Sequence, residues 1–175
     1  MRRRLLLAAA VAGLGAAAIA PASASAPAGR HAPARITGAG VGEVKLGMTH
    51  RALRKKGLVG RLRPGCELGG PNTRSARLLA PLKGSVDFTS QGRPRKARTI
   101  FVTGGARARG IGVGATIAQI KAKFPKAVVD RSTEDTFALT LVRIPRSGGG
   151  RFHFAVDVET RRTTSIGVPF IPFCE

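Results

Sequence analysis

The chain has no tryptophan and no tyrosine, only two cysteines, and only nine acidic residues among 175. Each shortage closes off a class of function. Without Trp or Tyr, the flat side chains that stack on single-stranded nucleic acid are reduced to eight phenylalanines, mostly at core-like positions. Specific nucleic-acid recognition is therefore not expected. Nine acids leave little material for paired catalytic carboxylates. Glu134-Asp135 is the only adjacent acidic pair, and its place between Arg131 and Thr136 reads as a turn. His31, His50 and His153 stand without Cys, Asp or Glu at ligand spacing, so neither a metal site nor a cofactor is expected. His153 and Asp157 share a strand face, but strand rise sets them roughly 13 Å apart, too far for a direct acid–base pair. Motifs of the G-x-S-x-G, S-x-x-K, H-E-x-x-H and P-loop kinds are absent. The glycines Gly104-Gly105 and Gly110-Ile111-Gly112 lack the residues that would make them a phosphate loop, and read as a linker.

A long apolar run is missing too. Arg2, Arg3 and Arg4 precede an Ala-rich apolar stretch from Leu5 to about Ala20, and Ala22-Ser23-Ala24-Ser25-Ala26 offers small-residue cleavage sites. This is the pattern of an export signal, and it falls short of the roughly 20 residues a membrane span needs. Cleavage after Ala24 is preferred over Ala26, which Pro27 follows directly. The expected product is secreted or held in the cell envelope, with no membrane span after signal cleavage. Residues 1–24 are read as the signal peptide and 25–36, with Pro27 and Pro33, as a flexible lead.

Positive charge is abundant: 30 Lys and Arg against nine acids give a formal charge of +21. Such a field attracts polyanions, although Arg spread along an Ala- and Gly-rich chain is also what a GC-rich genome imposes. In an exported chain the two cysteines, Cys66 and Cys174, are expected to form a disulfide. Closing a loop of about 100 residues is worth about 4–5 kcal/mol on chain-entropy grounds. A reactive thiol would need an activating His or a helix N-terminus, and the sequence shows neither beside them.

The organising feature is a stretch that occurs twice. Val44-Lys45-Leu46-Gly47-Met48-Thr49 returns as Ile111-Gly112-Val113-Gly114-Ala115-Thr116. Each copy reads as a short strand, a glycine turn and a threonine cap, so Gly47, Thr49, Gly114 and Thr116 are assigned to turn and cap. The first helix covers about His50 to Lys56, with Arg51, Arg54, Lys55 and Lys56 outward and Gly57 as its stop. The second has Gln119 completing a capping box, an apolar face of Ile117, Ile120 and Phe124, and Pro125 as its end. Leu58 to Pro81 is rich in turn residues and offers one strand near Arg77-Leu79. A hairpin follows, Val86 and Phe88 alternating outbound and Ala97 to Val102 returning. Its tip carries Arg93, Arg95, Lys96 and, just beyond, Arg98, either a contact for an anionic partner or a solvated tip that guards an edge. Alternation resumes at Phe137–Val142, Phe152–Val158 and Ile166–Phe170.

The expected fold is α+β: two tandem units, each a short helix packed on an antiparallel β-meander. Repeat unit 1 spans 37–103, a linker 104–110 and repeat unit 2 111–175. A Leu46-Gly47-Met48-Thr49 motif opening a helix before a meander resembles two exported groups, the SmpA/OmlA-type envelope domain and the secreted β-lactamase inhibitory proteins. The resemblance implies binding of other proteins through the sheet and its loops, without catalysis. This chain lacks the aromatic and acidic face of the inhibitors, so none of their inhibitory residues carries over. The function expected is that of an exported, non-enzymatic binding or envelope-associated protein, its partner another exported protein or an anionic envelope polymer. The alternative is a secreted hydrolase with an unrecognised active site.

Overall fold

The structure, a computed structural model, describes residues 32–66, 72–145 and 150–173. Antiparallel pairing dominates it. Four strands, β1 (Ala34–Thr37), β2 (Gly40–Val41), β3 (Val44–Lys45) and β8 (Ala106–Arg107), make a small sheet in the order β3-β2-β1-β8. The large sheet begins with β4 (Val59–Pro64), β5 (Arg74–Leu78), β6 (Lys83–Phe88) and β7 (Ala97–Gly104). It is completed by β9 (Val128–Asp130), β10 (Leu139–Ile144), β11 (Phe152–Asp157) and β12 (Thr163–Val168). The eight run in the order β4-β5-β6-β7-β12-β11-β10-β9. Helices α1 (His50–Lys55) and α2 (Ile117–Lys123) each precede one four-strand meander, and a single turn, α3 (Glu134–Phe137), lies between β9 and β10. The protein is thus α+β, as the patterning indicates.

Three expectations need correction. The helix-plus-meander stretches are not separate bodies, because β7 and β12 pair through Ile100↔Val168, Phe101↔Gly167 and Val102↔Ile166 and fuse them into one sheet. The stretch 104–110 is no free linker: it ends β7 and supplies β8, which lies parallel to β1 with Ala34 opposite Ala106. Strand β1 thus takes residues 34–36 out of the expected flexible lead: Ala34 and Arg35 pair with β8, and Ile36 pairs with Val41 of β2 and is buried. Residues 1–31, on which the expected signal falls, lie outside the described residues.

Burial explains the layering. Leu53 of α1 and Ile120 of α2 pack with Ile100, Val102, Phe152, Phe154 and Ile166 in one core that also takes Ile36, Val41 and Val44 of the small sheet. On the opposite face a smaller cluster joins Leu141, Ala155 and Ile171, with Phe101, Leu139 and Phe173 at its margin. Strand β10 therefore has Leu141 in one cluster and Val142 in the other. The cover on that second face is the C-terminal tail. A side chain at Gly167 would meet the Phe170 carbonyl at 2.2 Å, so the tail turns back closely enough to require glycine. Its Phe173 ring then stacks on Phe137 with centres 4.3 Å apart.

Candidate functional site

The two copies of the glycine–threonine motif have the same geometry. Gly47 and Gly114 hold φ of +80° and +88°, left-handed values that favour glycine. Gly47 N donates to the Ala97 carbonyl and Ala97 N to the Met48 carbonyl, each at 2.8 Å. Gly114 N donates to the Thr163 carbonyl at 2.7 Å and Thr163 N to the Ala115 carbonyl at 2.8 Å. Each motif therefore docks its helix on the last strand of its own meander. Thr49 Oγ1 accepts from Ala52 N at 3.2 Å. Thr116 Oγ1 accepts from Gln119 N at 3.3 Å, while Gln119 Oε1 accepts from Thr116 N at 2.9 Å, a complete capping box. These residues position the surface rather than act on a ligand.

That docking brings together two acid-free stretches. From Val44 to Cys66 the chain has no Asp or Glu, but has Lys45, Arg51, Arg54, Lys55, Lys56, Arg61 and Arg63. From Phe88 to Val129 it again has none, and this run includes the β6–β7 turn. Thr49 bridges Lys96, and His50 N donates to the Arg95 carbonyl at 3.2 Å, joining the turn to the start of α1. The His50 ring packs edge-on against Phe88 and its Nε2 lies 3.1 Å from the Gly60 carbonyl, fixing α1 against the outer strand β4. A groove of about 770 Å³ results, lined by His50, Arg51, Leu62, Arg93, Pro94 and Arg95. Leu62 is an exposed apolar residue on its wall.

Within this surface the four tip cations part company. Arg93 and Lys96 are exposed to solvent. Arg95 Nη1 donates to the carbonyls of Asn72 at 2.8 Å and Thr89 at 3.0 Å, so this guanidinium staples the turn. Arg98 belongs to the other face, 6.0 Å from the centre of the Phe170 ring. The four side chains therefore do not share one exposed surface. Arg51 joins Arg93 on the groove instead, and Arg54, Arg61 and Arg63 are exposed on α1 and β4; the absence of intervening acids was the sequence signal for them.

Most of the described acids collect at the far end of the sheet. Asp130 pairs with Arg143, and Glu134 pairs with Arg131 at 3.5 Å and accepts from the Thr140 hydroxyl. Asp157 Oδ1 accepts from the amide and the hydroxyl of Thr160, both at 2.7 Å, which holds this carboxyl below its ordinary value. Glu134 and Asp157 share a cleft of about 620 Å³ with Thr116, Ile117 and Arg161. Both are engaged as structural acceptors. Burial, then the charges of Arg143 and Arg151, push the pKa of His153 down to about 4, against a weaker opposing pull from Asp130. His153 is therefore neutral at neutral pH. Among the described residues no group of three or more His, Cys, Asp or Glu is placed to hold a metal ion. None of their helices is long and apolar enough to cross a membrane.

Cys66 Sγ lies 3.4 Å from the Phe173 carbonyl oxygen. Its expected partner, Cys174, lies outside the described residues, and no described cysteine is free. No protein-family model, curated protein or solved structure matches the chain, so the resemblances drawn above rest on the motif and the helix-then-meander order alone.

Proposed function

We propose that the protein is an exported, non-enzymatic binding protein that engages an anionic envelope polymer through the surface of α1, β4 and the β6–β7 turn. One observation carries this reading: the acid-free α1–β4 stretch is folded against the acid-free β6–β7 turn, while most described acids lie on the β9–β12 side of the sheet. Charge so separated gives a directional field, which steers a polyanion to one end of the molecule. Arginine suits the task because its planar fork meets phosphate and carboxylate oxygens two at a time. Arg51 and Arg93 are the exposed cations on the groove wall.

The test is retention on a heparin matrix over a salt series, comparing the parent chain with the double variant Arg51→Glu/Arg93→Glu. Log affinity is expected to fall linearly with log salt, and each lost contact to lower the slope by about 1. A parent that fails to bind, or a variant that binds with an unchanged slope, would sink the proposal. The hydrolase reading would draw on the Glu134–Asp157 cleft, where the hydrogen bonds already made favour a structural role.

A further inference from the structure

Away from the cationic end, one cleft gathers polar groups that the fold leaves without partners. It lies where the C-terminal tail turns back over β6 and β7, encloses about 280 Å³, and is lined by Thr73, Asp87, Ser90, Arg98, Thr99 and Phe170 among others. The Asp87 side chain is half-buried, yet makes no hydrogen bond or ion pair with any described residue. Thr73 Oγ1 is buried and has no partner either. Unpartnered buried polar atoms are rare in folded proteins, and Thr73 Oγ1, bordering the same cleft as the half-buried Asp87 carboxyl, points to something that fills it. Burial raises the Asp87 carboxyl above its ordinary value, and the Arg98 charge only partly opposes this.

We infer that this cleft binds a neutral, hydroxyl-rich ring of the size of one monosaccharide unit. The chemistry of the lining excludes the other small classes. A cation would meet the Arg98 guanidinium and the positive field of the whole chain. An anion would meet the Asp87 carboxylate. A neutral ligand that both donates and accepts satisfies all of them: its hydroxyls donate to Asp87, accept from Arg98, and do either with Thr73, Ser90 and Thr99. The Phe170 ring supplies an apolar wall for the carbon face of such a ring, in a volume at the small end for ligand pockets. The site is distinct from the cationic surface and does not rest on it.

Amide chemical-shift titration by NMR tests this on the folded, secreted chain, with glucose, N-acetylglucosamine and ribose as probes and sulfate and methylammonium as charged counterparts. At least one sugar is expected to give saturable millimolar shifts at Thr73, Asp87, Thr99 and Phe170, with no saturable shift there from either ion. Asp87→Asn and Arg98→Gln should each weaken that sugar about tenfold. Arg98 is exposed, so its variant keeps the test readable if Asp87→Asn disturbs folding. No saturable shift from any sugar, tighter binding of an ion at these residues, or Arg98→Gln binding at parental affinity would overturn the inference.

Discussion

At the scale of single residues, the two motif copies differ in one informative place. Thr116 has Gln119 behind it and forms a full capping box, whereas Thr49 has Ala52 at that position and forms half of one. Thr116→Ala is expected to cost about 1 kcal/mol in chemical denaturation, the usual value of a lost cap. An unchanged midpoint would mean that docking on Thr163, not the cap, holds α2. His153 yields a pH prediction. Its folded pKa lies near 4, below the ordinary 6.5, so between those values the unfolded chain binds the extra proton. Stability is then full above pH 6.5 and falls as pH drops towards 4. Partial exposure of the ring trims the loss to about 1–2 kcal/mol. His153→Gln should flatten that slope, and a variant with the parental slope would assign it elsewhere. Asp87 acts in the opposite sense: its raised pKa weakens the fold as pH rises past the ordinary carboxyl range, so Asp87→Asn should raise the melting temperature at neutral pH.

At the scale of elements, local chemistry separates what the sequence reveals from what it hides. Helices α1 and α2 follow from cap, apolar spacing and stop residues that all lie within one short stretch. Strands β6, β7, β11 and β12 follow from alternation. Strand β4 is hidden because Val59-Gly60-Arg61-Leu62-Arg63-Pro64 has two apolar side chains and a register break between Val59 and Leu62. β2, β3 and β8 have two residues each and are specified by their partners, a long-range fact that no local pattern carries. The same holds for the site. Its acid-free stretches are written in the sequence, but their apposition through Thr49↔Lys96 is not. Nor does the tip show that Arg95 is spent on carbonyls and Arg98 faces away. The tail illustrates the cost of such distant packing. Ile171→Ala should destabilise by about 2–4 kcal/mol, because Ile171 is 6% exposed and covers Leu141 and Ala155. A loss below 1 kcal/mol would show the tail to be loosely held. If the proposed Cys66–Cys174 bond fastens it, alkylation of secreted protein will find no free thiol, and reduction will lower stability by up to about 4–5 kcal/mol. Two alkylated cysteines would sink the bond.

At the scale of the whole molecule, the continuous sheet implies a single cooperative unit. Fluorescent probes placed near Leu53 and near Ile120 should report coincident unfolding transitions, since both helices pack into one core. Two separate midpoints would show that the two halves unfold independently despite the shared sheet. The outer strand β4 is also shielded from sheet-to-sheet association. His50 occupies the Gly60 carbonyl, Pro64 has no N–H to offer, and Arg61 and Arg63 repel a second copy.

The β7–β12 junction has a kinetic side. Within each meander the pairing strands follow one another in sequence, so their contacts close over short loops. β7 meets β12 only after the whole second half of the chain is available. Closing that long loop costs entropy before any contact offsets it, which makes it a late event. A chain delivered amino-terminus first therefore carries β7 as a bare edge for as long as the rest takes to arrive. Handing that edge to its own β12, rather than to a neighbour's, is the step at which two nascent copies would exchange strands.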